Sequence, residues 1–514
     1  MPQPVDSNQY GGPFVLDQGG DLTLLRRACE AAEYTFASIG SALFLNEGGV
    51  PMAVPASLRR TTGGTQLDTL LRLFLLAQPA PAEAARAAVA PAKLDDLLAL
   101  GLLQPCPEGV RAQAALMPQD DLLLAREFWP EVTGRPMGRD YVLGVGRSSQ
   151  IVARLTVRRR EESALDLGTG SGYLALLAAR HARRVLATDV NPRALNFAAL
   201  NARLNGLTNV EFRQGSLFEP VADQRFDLIV ANPPFVISPQ ADYVYRDSGL
   251  QGDALCERIV RQAPAMLREG GYCTLLFNWH HKTAEDWAER PAAWLVSSGC
   301  DAWLTNFDVI SPLTYAATWL TAEHKHEPEV FGRLIDQWVA YLESLGVGKI
   351  SFGALVMRRR SGADHWLRAE HGPAGEPTQA CSEQIERVFA AEDFLRGVGE
   401  SHGGTDLVPD ERLLRHAFVL TPHHRLEQVL HAVDNRWVVE GATLKQTRGY
   451  PFVGNVDRLV SMVLAGCDGK HPLGRLCAEI AAEVGAEPGP FAAGSCSVVR
   501  TLLRWGFLTP AAES

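Results

Sequence analysis

Three short segments carry residues whose types and spacing could do chemistry. The first, "LDLGTGSGYLAL" at 165–176, joins an apolar run to a stretch with helical spacing. Gly168, Gly170 and Gly172 let the backbone approach a ligand closely where a strand hands over to a helix N-terminus. In the second, "VLATDVNPRAL" at 185–195, Asp189 ends the next strand, 23 residues after Asp166. A carboxylate there can accept both hydroxyls of a ribose. Asn191 and Pro192 suit the cap and first residue of a helix. The third, "RFDLIVANPPF" at 225–235, is a buried strand stopped by two prolines, neither of which can donate to a ladder. Asn232 before them is held extended. A rigid polar corner at such a strand end suits the grip of an amino group between Asn232 and the carbonyl beside it.

The elements that must position these segments alternate in type. Strands are predicted at "SALDLG", "RVLATD", "NVEFRQG", "RFDLIVA" and "GGYCTLLFNWH", with helices such as "GYLALLAARHA" and "NPRALNFAALNARLNG" between them. That alternation predicts an α/β unit around a parallel sheet. "DAWLTNFDVI", "KISFGALVMRRR" and "ADHWLRAEH" read as later strands closing one sheet edge. The ends differ in style. Residues 66–105 hold three short amphipathic helices followed by a predicted β-hairpin, a winged-helix-like pattern that the last sixty residues echo. "LLALGLLQP" and "LLRWGFLTP" both predict a helix closed by a C-cap glycine and leading into a strand. The expected domains are therefore 1–125 (winged-helix-like), 126–375 (catalytic) and 376–514 (α+β with a winged-helix-like end).

Composition narrows the class. With 514 residues, two to four domains are expected. A net charge of −10 argues against a chain that coats nucleic acid by bulk electrostatics. The nine cysteines are scattered with no metal-type pairing, which reads as reduced thiols and no metal site. The N-terminal residues lack the basic start and apolar core of a leader, and no apolar run is long enough to span a bilayer. A cytoplasmic location, away from membranes, is the expectation.

The order of the three segments resembles class I S-adenosylmethionine (AdoMet) methyltransferases. A dinucleotide fingerprint needs G-x-G-x-x-G, and Tyr173 stands where the third glycine would be. D-x-G-x-G-x-G instead is similar to their first motif. The resemblance implies a Rossmann-like seven-stranded domain with AdoMet as cofactor. Asp166, Gly168, Thr169, Gly170 and Gly172 would hold its methionine end, and Asp189 and Val190 its ribose. Ser216 and Leu217, where the family usually has an adenine-binding Asp, would meet the base, with Phe218 over its face or in the core. N-P-P-F resembles the motif of members that methylate planar nitrogens: adenine N6, guanine N2 or a glutamine amide. Asn232, also beside the cofactor, and the Pro233 carbonyl would each accept one N–H of the target. Pro234 would stiffen the corner and Phe235 stack on the acceptor.

The stretch "YVYRDSGLQGDALCERIVRQAPAMLREGGY" is similar to that of release-factor glutamine N5-methyltransferases, which favours a protein glutamine. An RNA or DNA base is the alternative. Tyr243, Tyr245 and Arg246 are candidate gate residues against a plain surface loop. His280 and His281 read as loop residues more than substrate contacts. Arginine runs at 158–160 and 358–360 read first as a solvated face, and would favour a nucleic-acid or ribosomal substrate only if both lay beside the active site. Two copies could pair through the terminal domains. A nicotinamide-dependent oxidoreductase and a non-catalytic nucleic-acid-binding regulator remain as weaker readings.

Overall fold

A computed structural model describes residues 12–45, 50–324, 327–372, 375–397 and 409–511; residues 1–11, within the stretch read for a leader, lie outside them. The chain splits into two compact units, one made of 1–153 and 159–370, the other of 154–158 and 371–514. The boundary expected at 125 falls inside the first unit, and that at 375 close to its end. No described helix is long and apolar enough to cross a membrane.

The centre of the first unit is an eight-stranded sheet. Its strands are β1 (Glu161–Leu167), β2 (Ala182–Asp189), β3 (Val210–Gln214), β4 (Phe226–Ala231), β5 (Leu267–His281), β6 (Cys300–Ile310), β7 (Lys349–Arg359) and β8 (Leu367–His371). The order across the sheet is β8-β6-β7-β5-β4-β1-β2-β3. Strands β1 to β5 pair in parallel, while β7 runs antiparallel to both β5 and β6. This is the predicted Rossmann-like α/β sheet, with an eighth strand where seven were expected. The addition is "LRAEH", one of the segments read as a sheet-edge strand. The last five residues of β1 and the last four of β4 are all buried, as in strands of a parallel sheet enclosed on both faces. Leu165, Ile229, Leu275 and Phe277 are fully buried in the resulting core.

The helices of this unit that matter for the site are α1 (Arg147–Leu155), α2 (Tyr173–Ala178), α3 (Pro192–Leu204), α4 (Ala254–Met266), α5 (Glu289–Leu295), α6 (Pro312–His324) and α7 (Pro328–Ser344). The last two residues of α1 group with the second unit. Helix α3 begins as predicted, with Asn191 Oδ1 accepting the Arg193 N–H at 3.0 Å and Pro192 in the first turn. Its far face explains why the N-terminal residues belong to the same unit. Asn201 accepts the Ala125 N–H at 2.6 Å and donates to the Ala125 carbonyl at 2.9 Å. Asn205 repeats the exchange with Leu123 at 3.0 and 2.8 Å, and Asn196 with Phe14 at 3.0 and 2.9 Å. A side-chain amide offers the same donor and acceptor as a backbone peptide. Asn201 and the C-cap residue Asn205, four apart, pair with alternate residues of the strand Leu122–Arg126 as a neighbouring strand would.

The helices Gln66–Phe74, Ala82–Val89 and Leu94–Leu100 precede an antiparallel hairpin of Leu103–Cys106 and Gly109–Ala112. Gly101 closes the third helix at φ 84°, and Gly506 follows the helix Pro488–Arg504 at φ 73°, both in the left-handed region expected of a C-cap. Beyond the glycines the two ends diverge. Leu508–Pro510 pairs with Ala417–Leu420, which also pairs with Asp468–Pro472, so this strand sits in a three-stranded sheet of distant segments.

Candidate active site

Asp166, Asp189 and Asn232 stand at the carboxyl ends of three adjacent strands. Register places Leu167 opposite both Thr188 and Ala231, so β2, β1 and β4 finish level. Ligands of open α/β sheets bind at this edge. A cavity of about 500 Å³ opens there, lined by every residue expected to hold cofactor or acceptor except Asp166 and Gly172; Phe218, His280 and His281 also lie outside the lining.

Asp166 lies just behind the lining, 1% exposed. Its Oδ2 accepts Thr169 Oγ1 at 2.6 Å and the Ala175 N–H at 2.9 Å, while Oδ1 is buried without a partner. Burial pushes its pKa up to about 7; the two hydrogen bonds oppose the shift and the nearby Asp189 adds to it. Asp189 accepts the Gly170 N–H through Oδ2 and the Asn191 N–H through Oδ1, both at 2.9 Å. Burial raises its pKa against the N–H groups of Asn191, Gly170 and Val190. With three N–H groups on about four lone-pair positions, the carboxylate keeps room for a further donor.

The glycine turn shows what a ligand could use. Gly168 and Gly170 have φ of 74° and 54°, and a Cβ built on either meets no atom within 4 Å. Side chains there would enter open space at the cavity wall. Gly172 differs: its Cβ would meet Ala198 at 3.0 Å, so its absence serves the packing of α2 on α3. Val190, half exposed, Ser216 and Leu217 line the cavity beyond Asp189. Phe218 is 5% exposed inside the sheet core, which settles its two sequence readings in favour of core. An orphaned carboxylate oxygen, a second carboxylate with room for a further donor and a turn open to a neighbour fit an amino-acid-linked nucleoside such as AdoMet.

At the corner after β4, Pro233 is buried and Asn232, Pro234 and Phe235 are half-buried. Asn232 donates through Nδ2 to Ser148 Oγ (3.1 Å) and Ser149 Oγ (2.9 Å), and its Oδ1 is buried with no partner. Phe235 packs against Trp319 (centroids 6.4 Å) and Phe352 (6.0 Å). Helices α6 and α7, inserted between β6 and β7, brace the residues beyond the corner. Tyr315 Oη accepts the Ile237 N–H at 2.9 Å and Asn278 Nδ2 at 2.8 Å, and Tyr315, Trp338, Val236 and Ile237 share one buried cluster.

The next loop is organised around Asp247, whose carboxylate accepts Ser238 Oγ, the N–H groups of Asp242 and Tyr243, and the Arg246 guanidinium at 2.9–3.2 Å. Tyr243 and Tyr245 stack at 5.5 Å and line the cavity with Arg246, which is 4% exposed. The candidate gate is thus a built wall. Asp253, which follows Gly249 and Gly252 in the stretch similar to the glutamine methyltransferases, accepts Arg290 twice (2.8 and 2.7 Å) and the His280 N–H at 3.2 Å. His280, which ends the strand read from sequence, and His281 both belong to strand β5 rather than to a loop, and no group that could hold a metal occurs among the described residues.

The arginine runs lie elsewhere. Arg358 pairs with Tyr272 in the sheet, and Tyr272 with Leu228 at the start of β4, which places this run at the amino edge of the parallel strands. Arg358 and Arg360 bind Asp301 at 2.7 Å each, and Arg359 donates to the Ser298 carbonyl at 2.8 Å. Arg159, just before β1, donates to Glu161 and to the Gly270 carbonyl at the same edge. The condition under which these runs would favour nucleic acid is not met by 358–360. Sequence reasoning missed Ser148, Ser149 and Trp319. The serines sit in a glycine-rich lead-in of no recognisable motif, and Trp319 in a helix pair that no spacing ties to the site.

Residues 144–289 match the family model described as the Methyltransferase small domain. Residues 52–113 and 389–510 match two domains of unknown function. Among curated relatives, the "Release factor glutamine methyltransferase" of Xylella fastidiosa is 39% identical over 136 residues, 24% of this chain and 50% of that protein. The "Ribosomal protein uL3 glutamine methyltransferase" of Bradyrhizobium diazoefficiens is 37% identical over 148 residues, 26% of this chain and 46% of that protein. A release factor glutamine methyltransferase of Geobacter sulfurreducens is 36% identical over 140 residues, 24% and 49% of the two chains. The chain thus spans about half the length of the curated relatives it matches. The central segment is an AdoMet-dependent class I methyltransferase domain, matched over the strands and turns that build the cavity.

Proposed function

We propose that the chain is an AdoMet-dependent N-methyltransferase acting on the side-chain amide of a protein glutamine. The observation that carries this reading is the buried, unpartnered Oδ1 of Asn232 at the cavity wall. An amide nitrogen is a poor nucleophile because its lone pair is delocalised. Asn232 Oδ1 and the Pro233 carbonyl would each accept one of its N–H groups, drawing the nitrogen toward tetrahedral character and aiming its lone pair. The two prolines hold both acceptors in place before the substrate amide arrives. AdoMet, when bound, supplies an activated methyl group on sulfur. Asp166, with Gly168, Thr169 and Gly170, would receive its methionine end, Asp189 and Val190 its ribose, and Ser216 and Leu217 its base.

Protein rather than nucleic acid is favoured by the named activities of these relatives, all on glutamine, and by the net charge of −10. The pairing of Arg358 and Arg360 with Asp301 removes one argument for a nucleic-acid face. The winged-helix-like ends are read as structural or pairing modules, and the setting as cytoplasmic. Tritiated AdoMet incubated with the enzyme and cell lysate tests the proposal. Label released by protease and not by nuclease is expected; release by nuclease alone would make the acceptor a base.

A further inference from the structure

The two serines of the first turn of α1 have no place in the motifs read from sequence, yet they touch the residue on which transfer depends. Both hydrogens of Asn232 Nδ2 are taken up, by Ser148 Oγ at 3.1 Å and Ser149 Oγ at 2.9 Å. That fixes the plane of the amide and leaves Oδ1 as its one unclaimed polar atom. The corner itself has no donor to offer Oδ1, since Pro233 and Pro234 carry no N–H. The opposite orientation of the amide would turn two N–H donors toward that unpartnered position in place of one carbonyl oxygen, and buried donors left unmade are costly.

We infer that Ser148 and Ser149 are positioning residues for methyl transfer: they hold Asn232 so that Oδ1 stays free for an N–H of the acceptor. The inference rests on the proposed role of Asn232. Both serines line the cavity, and the role inferred for them is exercised through Asn232. They act through the orientation of one amide, which without them is free to swing about its side-chain bonds. Misplacing a contact by about 1 Å at a reacting centre lowers turnover by roughly a hundredfold.

The test uses the full-length chain, a purified peptide-chain release factor as acceptor and S-adenosylhomocysteine as cofactor probe. S148A/S149A is expected to lose about thirtyfold or more in kcat, with S-adenosylhomocysteine affinity by calorimetry and melting midpoint close to wild type. S149T, which keeps the hydroxyl of the shorter contact, is expected to retain at least about a third of wild-type kcat. A double variant with wild-type kcat, beside an inactive N232A, overturns the inference while leaving the proposed function standing. Should the double variant misfold, S148A alone carries the comparison with S149T. If the wild-type chain transfers nothing to the release factor, it is the acceptor assignment that fails. The serines are then judged from a crystal structure of the variant with S-adenosylhomocysteine: an Asn232 side chain displaced from its wild-type rotamer supports the inference, and one unmoved overturns it.

Discussion

The two halves of the cavity satisfy their polar groups in different ways. On the side of β1 and β2 the supports are local: the carboxylates of Asp166 and Asp189 are held by the Thr169 hydroxyl and the N–H groups of Ala175, Gly170 and Asn191, close in sequence or one strand away. At the end of β4 the polar corner is held from a distance. Asn232 is oriented by serines some eighty residues earlier and Ile237 by Tyr315 of the inserted helices. A turn that holds itself together can be kept through large changes around it. A corner that borrows its supports can be retuned by changing them. The first suits a ligand that never varies, the second an acceptor that does.

Experiments can break this comparison in descending order of effect. N232A should leave S-adenosylhomocysteine affinity within about twofold while lowering kcat by roughly 10²–10³, the scale seen when one preorganised hydrogen-bonding group is removed from a reacting centre. Equal losses in affinity and turnover would show that the two halves are not separable. D189A should act the other way, weakening the cofactor by about 1–3 kcal/mol, the range for a hydrogen-bonded charge, with acceptor KM little changed. Unchanged affinity by calorimetry would remove the ribose contact.

The third effect depends on pH. With its pKa at about 7, Asp166 is neutral in the unliganded protein below that pH and ionised above it. A cationic amino group prefers the ionised form, so affinity should fall as pH drops through 7. It should be about tenfold weaker at pH 6 than at pH 7.5, and D166N should remove the dependence. A flat profile for the wild-type chain would place the amino group elsewhere. The smallest change is expected from S216A. A hydroxyl with neutral partners contributes about 1 kcal/mol, so a loss well above that would mean Ser216 holds the base as firmly as the usual carboxylate does.

Legibility in the sequence divides along the same line. The glycine turn, Asp189 and the double proline are local signals, because strand ends and tight turns restrict which residues can stand there. The eight strands were likewise visible as short segments alternating with helical spacing or closing the sheet edge. Supports contributed from far along the chain leave no such trace. Ser148 and Ser149 look like any polar pair opening a helix, and Trp319 like any core aromatic. Phe218, adjacent in sequence to two lining residues, faces the core because the turn at Leu217, with φ of 49°, redirects the chain. The arginine runs stood out for charge, yet their place was set by strand register, which composition does not encode.

The asparagines of α3 bear on how this chain can be handled. They dock the edge strand before residue 126 like rungs of a ladder, and Asn201 also donates to the Ser171 carbonyl inside the glycine turn at 2.8 Å. Cutting the gene to the segment that resembles other methyltransferases would strip the partners from those amides and bare the flank of the very helix that follows Asp189. A chain cut to residues 144–289 is therefore expected to melt lower than one that keeps the residues from 12 onward.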